Sequence, residues 1–179
     1  MRSVFSYFQS FQIFQTIKTI MDKKEQLQND FIMNFGYAYK SFGLSKLMGH
    51  VVALLISSPK PVALEDIALT LNRSKGPISQ LTRRLRDKNL IRRVWQPTSR
   101  KDFYEIQPEI FENAFRNNLD LIRNNTNLAK QYKDRIKKED IKDLEVLNER
   151  LTEMSRFYEL MDKHYKNFLD EWELERNNK

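Results

Sequence analysis

The chain has 179 residues, 40% hydrophobic and 31% charged, with a formal charge of +7 at neutral pH and no cysteine. That length buries one core with an appended helical arm, and the lack of cysteine excludes disulfides, zinc–cysteine clusters and thiol chemistry. Four glycines and five prolines point to a mainly helical chain; no apolar run reaches the roughly 18 residues of a bilayer span, so the expectation is a cytoplasmic protein with no membrane partner.

In the first stretch, Phe5, Phe8, Phe11, Phe14 and Ile17 are interleaved with Ser, Gln and Thr, without the continuous apolar region or cleavage site of an export signal. Residues 1–21 read either as an amphipathic extension that packs on the body or a partner, or as sequence ahead of a true start at Met21. From Asp22, the positions Leu27, Phe31, Phe35, Tyr39 and Phe42 form one stripe, predicting a helix over 22–43 that Gly43 ends. A largely buried helix follows from Leu44 to about Ile56, before the turn Ser57–Pro61. His50 within it reads as a core histidine with a satisfied hydrogen bond rather than a metal ligand, because no second ligand stands four residues away.

The basic character is concentrated. Between Asn72 and Lys101 ten cations face Asp87 alone, so this segment carries +9 and the rest of the chain −2. A basic segment set in a mildly acidic body marks a dedicated anion-binding surface. Glu65 to Leu71 predicts a short helix with Ile67, Ala68 and Leu71 inward, then a polar turn Asn72–Ser74, then a second helix capped by Ser74 and running to about Lys88. On that second helix Ile78, Leu81 and Leu85 share one side, and Gly76, Ser79, Gln80 and Arg83 the other. Short helix, tight turn and a helix with small polar and basic residues near its start is the arrangement that enters a major groove. Gly76 and Ser79 allow close approach, Gln80 can pair with adenine, and Arg83 can reach guanine or a phosphate; Ser74, Lys75, Arg84 and Arg86 suit the phosphate backbone. From Leu90 to Ile106 the pattern becomes β-branched and aromatic around Gln96–Arg100, a hairpin whose tip carries Arg100 and Lys101 toward backbone or minor groove. Trp95, at the end of the first strand, is read as a packing residue rather than a stacking platform for a base.

These residues resemble a known family. The run Ser74-Lys75-Gly76-Pro77-Ile78-Ser79, then Leu81, Arg84, Leu85, Leu90 to Trp95 and Arg100 to Glu105, with Phe42 to Gly49 upstream, resembles the betaine-synthesis-repressor (GbsR-like) branch of the MarR winged-helix regulators. The resemblance spans roughly residues 22–106 and implies a homodimeric regulator, usually a repressor, on a palindromic operator. It departs from the wider family at the wing tip, where Thr98 replaces an expected Asp, so Arg100 is expected to be held by another group such as Asp102. It does not imply an effector's identity.

The last third suggests dimerisation on its own terms. Glu109 to Asn125 predicts a helix, Asn124–Asn127 a break, and a charged helical stretch follows. Then Leu144, Leu147, Leu151, Met154, Tyr158, Met161, Tyr165, Phe168 and Trp172 step alternately by three and four, a heptad seam. Its aromatic bulk suits a multi-helix interface better than an isolated zipper. The proposed dimer contact comprises Leu27, Phe31 and Phe35 with Leu151, Met154, Tyr158, Met161, Tyr165, Phe168 and Trp172. Tyr158, Tyr165 and Trp172 also allow a cation–π cage for a quaternary ammonium effector, although plain packing is the simpler role.

The expected class is therefore mainly α with a β-hairpin wing: a winged helix-turn-helix over 44–106, flanked by dimerisation helices at 22–43 and 107–179. The expected function is sequence-specific binding of double-stranded DNA as a homodimer, with no cofactor or metal and with a small-molecule effector of unknown identity. A protein-assembly or RNA-contacting winged helix is the alternative. An enzyme is not expected, since no phosphate loop, nucleophile motif or ligand cluster stands in the chain.

Overall fold

The computed structural model describes residues 2–40, 45–97, 99–139 and 143–178, and in the first helix it describes side chains from Gln15 onward, Ile17 excepted. The side chains of Phe5, Phe8, Phe11, Phe14 and Ile17, the helix end at Phe42–Leu44 and the wing-tip Thr98 lie outside what is described. The chain divides into two compact units, Met1–Pro108 and Glu109–Lys179.

The first unit opens with α1 (Arg2–Lys40), a helix that continues through Met21 without interruption, and α2 (Lys46–Ile56). Ser45 begins α2 with extended backbone and a side chain that accepts from Met48 N at 3.2 Å, a standard N-cap. Ser57 and Ser58 end it by donating their hydroxyls to Ala53 and Leu54 carbonyls. The two helices pack at Gly36 and Gly49. A Cβ on Gly49 would stand 2.8 Å from Gly36 Cα and 2.9 Å from Tyr39 Cβ, so only glycine permits this approach. Ile32 and Tyr39 are buried beside that contact, whereas Leu27 is 71% exposed and Phe31 36%. The predicted stripe is thus divided: Phe35 and Tyr39 stack at 4.6 Å near α2, and Leu27 and Phe31 stay outside.

After α2 come β1 (Val62–Ala63), α3 (Leu64–Thr70), α4 (Lys75–Asp87), β2 (Ile91–Val94) and β3 (Phe103–Ile106). The sheet order is β1-β3-β2, all antiparallel, with Ile91 opposite Ile106 and Val62 opposite Tyr104. Val51, Val52, Leu55, Ile67, Ile78, Leu85, Leu90 and Ile91 form its core, none more than 2% exposed. This is a winged helix-turn-helix. The hairpin was legible from the sequence; β1 was not, because two residues carry no period.

The second unit is a helical hairpin of α5 (Ile110–Lys138) and α6 (Glu145–Asn177). No break occurs at Asn124–Asn127, contrary to the sequence reading. Thr126 is 8% exposed and donates its hydroxyl to Ile122 O, so Leu119, Ile122, Thr126 and Ala129 continue one buried seam across the asparagines. The weak helix propensity of asparagine, a cost below roughly 0.7 kcal/mol per residue, yields to that packing. Arg176 with Glu112, Arg123 with Asp162 and Lys130 with Glu159, each at 2.9 Å, set the antiparallel register. Of the heptad seam, Leu151, Met154, Tyr158, Met161 and Tyr165 are half-buried, while Phe168 and Trp172 are exposed. Leu169, which widens the seam in sequence, and Ser155, which the seam omitted, are the buried positions of α6. Tyr165 stacks on Phe115 at 4.3 Å, so a neighbouring ring already covers one face of the suggested cage residue.

Among the described residues no helix is long and apolar enough to cross a membrane.

Candidate nucleic-acid interface

The turn between α3 and α4 is built by the backbone. Asn72 adopts φ 49°, and two bonds close behind it, Arg73 N to Ala68 O at 2.9 Å and Asn72 N to Leu69 O at 3.0 Å. This is a Schellman stop, in which a left-handed residue satisfies the last carbonyls of the helix. Asn89 repeats it at the end of α4 with φ 54°, Leu90 N donating to Leu85 O at 2.9 Å. Two asparagines therefore set where the recognition helix begins and where the wing departs.

α4 has one face in the core and one outside. Ile78, Thr82 and Leu85 are fully buried, and Leu81 is half-buried. Thr82 was not singled out from the sequence; its hydroxyl donates to Ser79 O at 3.0 Å, which removes the cost of burying it. On the other face Gly76, Gln80 and Arg83 are exposed, and a Cβ on Gly76 would meet nothing within 4 Å. Ser79 is half-buried, so of the four expected base readers it lies furthest back.

The expected backbone contacts separate into distinct groups. Arg84, Arg100 and Lys101 are exposed and, with Arg83, form no ion pair among the described residues. Ser74 is exposed at the N-cap position of α4, but its side chain makes no capping bond, which corrects the expected role. Arg86 is half-buried, and its Nε is shut from solvent without a hydrogen-bond partner among the described residues. Lys75 bonds Glu65 Oε1 at 3.0 Å.

Internal acids hold the hairpin together. Arg92 pairs with Glu105 and Arg93 with Asp102. The sequence reading gave Asp102 to Arg100; the structure gives it to Arg93, since Arg93 stands in the paired strands and Arg100 beyond them. Leu64 N also donates to Asp102 O at 2.9 Å, tying the start of α3 to the wing base. Glu65 was missed altogether because it lies before the basic segment. The Lys75 ammonium bonded to it, and more weakly the charge of Lys101, hold its carboxyl below the usual range.

Trp95 is not a packing residue: it is 78% exposed. Strand alternation puts Ile91, Arg93 and Trp95 on one face; Ile91 is 1% exposed but the Arg93 side chain already 57%. The strand has left the core before Trp95 is reached.

Behind the turn, a cavity of about 420 Å³ opens between α1, α2 and residues 70–73. Lys46, His50 and Arg73 line it with Ile32, Met33 and Leu71, and among the described residues no carboxylate does. His50 departs from expectation, since its buried Nε2 has no hydrogen-bond partner among the described residues. Burial, then the charges of Lys46 and Arg73, lower its pKa from the ordinary value of 6.5.

No family model matches the sequence. Two curated relatives from Bacillus subtilis (strain 168) do. The HTH-type protein YvaV is 27% identical over 88 residues, 49% of this chain and 50% of its own length. The HTH-type transcriptional repressor OpcR is 25% identical over 95 residues, 53% of this chain and 51% of its own. The matched region thus spans about half the length of each. A crystal structure of a transcriptional regulator superposes over 82% of this chain and 98% of that one, with TM-score 0.70 and 21% identity. That likeness establishes the shared winged-helix fold.

Proposed function

We propose that this chain is a sequence-specific DNA-binding transcriptional regulator, a repressor that acts as a homodimer on a palindromic operator. The observation that carries the reading is the split of α4: a face fixed in the core by Ile78, Thr82 and Leu85, and an exposed face of Gly76, Gln80 and Arg83 beside cations without internal partners. Relatives carrying helix-turn-helix names, one of them a repressor, support it. The motif residues Ser74 to Ser79 and Arg100 to Glu105 favour the MarR type, and within it the GbsR-like branch. α4 lies in the major groove, Arg83 and Gln80 read base edges, and Arg84, Arg100 and Lys101 hold phosphates. Leu27 and Phe31, with Phe168 and Trp172, offer apolar surface to a second copy. Selection of bound duplexes from a random pool tests the whole reading. A palindrome with half-sites about 34–36 Å apart supports it; recovery of no common sequence, with equal affinity for every duplex, ends it.

The cavity favours a particular class of effector. Two cations and no carboxylate suit an anion with an apolar body, against the quaternary ammonium that the aromatic helix suggested. Calorimetric titration with small carboxylates and with choline separates them, and Lys46→Ala should abolish only the carboxylate heat.

A further inference from the structure

Trp95 is a large aromatic residue left in solvent on the wing, between Arg92 and Arg93 on one side in sequence and Arg100 and Lys101 on the other. It stands one residue past β2, two beyond Arg93 and five before Arg100. The strands that lead into and out of its turn are held by the Arg92–Glu105 and Arg93–Asp102 pairs, so the backbone that presents Trp95 starts from a paired strand. No neighbouring side chain receives its indole N–H among the described residues. An exposed ring with an unused donor is an amphipathic contact element, apolar over its face and polar at its tip.

We infer that Trp95 is a DNA contact of the wing, its ring lying on the deoxyribose face of a duplex strand and its N–H donating to a phosphate oxygen, beside Arg100 and Lys101. This rests on the DNA-binding reading and extends it, because every other assigned wing contact is a charge. Deoxyribose presents apolar C–H surface next to phosphate acceptors, matching the two ends of an indole. The unpaired cations bring that backbone to the hairpin. A single-stranded base is the poorer occupant. Platforms for single strands use successive aromatics, whereas on this hairpin Tyr104 is 5% exposed and Phe103 half-buried. Trp95 thus supplies the wing with affinity that salt does not screen.

The full chain labelled with fluorotryptophan tests this, since it has two tryptophans and Trp95→Phe assigns their fluorine resonances. On addition of a short mixed-sequence duplex at low salt, the Trp95 resonance should shift and lose its solvent-isotope effect. Heparin, a polyanion without deoxyribose, should leave it solvated. Trp95→Ala should weaken duplex binding roughly 5- to 20-fold, the lower part of the range for aromatic contacts to nucleic acid. The slope of log affinity against log salt should stay unchanged, because no cation is removed. Trp95→Phe should recover part of the loss. A bound duplex, seen by anisotropy, with Trp95 still fully solvated overturns the inference and leaves the DNA reading intact. No duplex binding at low salt overturns both. Concentration-dependent shielding of Trp95 without DNA assigns the ring to a second copy and also overturns it.

Discussion

The recognition helix with its wing and the α5/α6 hairpin are both heavily charged, and they differ in which of their cations an acid secures. In the hairpin, Arg123 and Lys166 converge on Asp162, Lys130 meets Glu159, and Arg116 and Arg176 share Glu112. In the winged helix, acids secure Lys75, Arg92 and Arg93, but Arg83, Arg84, Arg100 and Lys101 have none among the described residues. A paired charge sets register. A cation without an internal partner keeps its counterions and releases them when phosphate arrives. Charge state alone therefore says little about function; the partner of each charge says more.

The sharpest break of that contrast is Arg83→Ala. Operator affinity should fall by roughly 1–3 kcal/mol and base preference should relax at one position per half-site, with thermal stability unchanged. Arg84→Ala and Lys101→Ala should instead weaken all duplexes alike and lower the salt slope by about 1 each. Equal losses on operator and random DNA would remove Arg83 from the reading set. Gly49→Ala probes the scaffold behind the surface. Its Cβ would stand 2.8 Å from Gly36 Cα, a contact with backbone that no rotamer relieves. Stability in a denaturant titration should drop by about 1–3 kcal/mol, partly offset by the helix propensity of alanine, about 1 kcal/mol. A neutral result would show that α1 and α2 spread at little cost. Asp162→Asn reports the other region: losing two exposed pairs should cost at most about 1 kcal/mol, with duplex affinity untouched.

The sequence made the winged helix and its reading face legible because both rest on local rules: a 3.6 period in α4, a period of two in the hairpin, and a polar turn at Asn72–Ser74 between the two helices. Gly76, Gln80 and Arg83 followed from that projection. What was not legible depends on partners distant in the chain. Glu65 takes Lys75 from across the turn, Asp102 goes to Arg93 rather than Arg100, and Thr126 continues a seam that its asparagine neighbours disguised. Trp95 failed for a related reason. Alternation identified its face, but nothing in the sequence said where the core beneath that face ends.

His50 offers the smallest effect and ties the scaffold back to the charge comparison. Its buried Nε2 has no hydrogen-bond partner among the described residues, and burial with Lys46 and Arg73 favours the neutral ring, so the folded pKa lies below the ordinary 6.5. Above 6.5 the ring is neutral in both states and contributes no pH dependence. As pH falls below 6.5 the unfolded chain takes up a proton that the folded chain resists, and stability declines until the folded pKa is passed. The carboxyl groups of Glu159 and Asp162, held down by Lys130 and Lys166, lose their contribution only at lower pH, below their ordinary values of 4.5 and 3.8. Thermal midpoints measured between those windows should therefore fall gently with pH in the native chain and stay flat in His50→Gln. If both chains show the same slope, the ring reaches water or a partner on protonation, and the cavity it lines opens more readily than its packing against Gly36 implies.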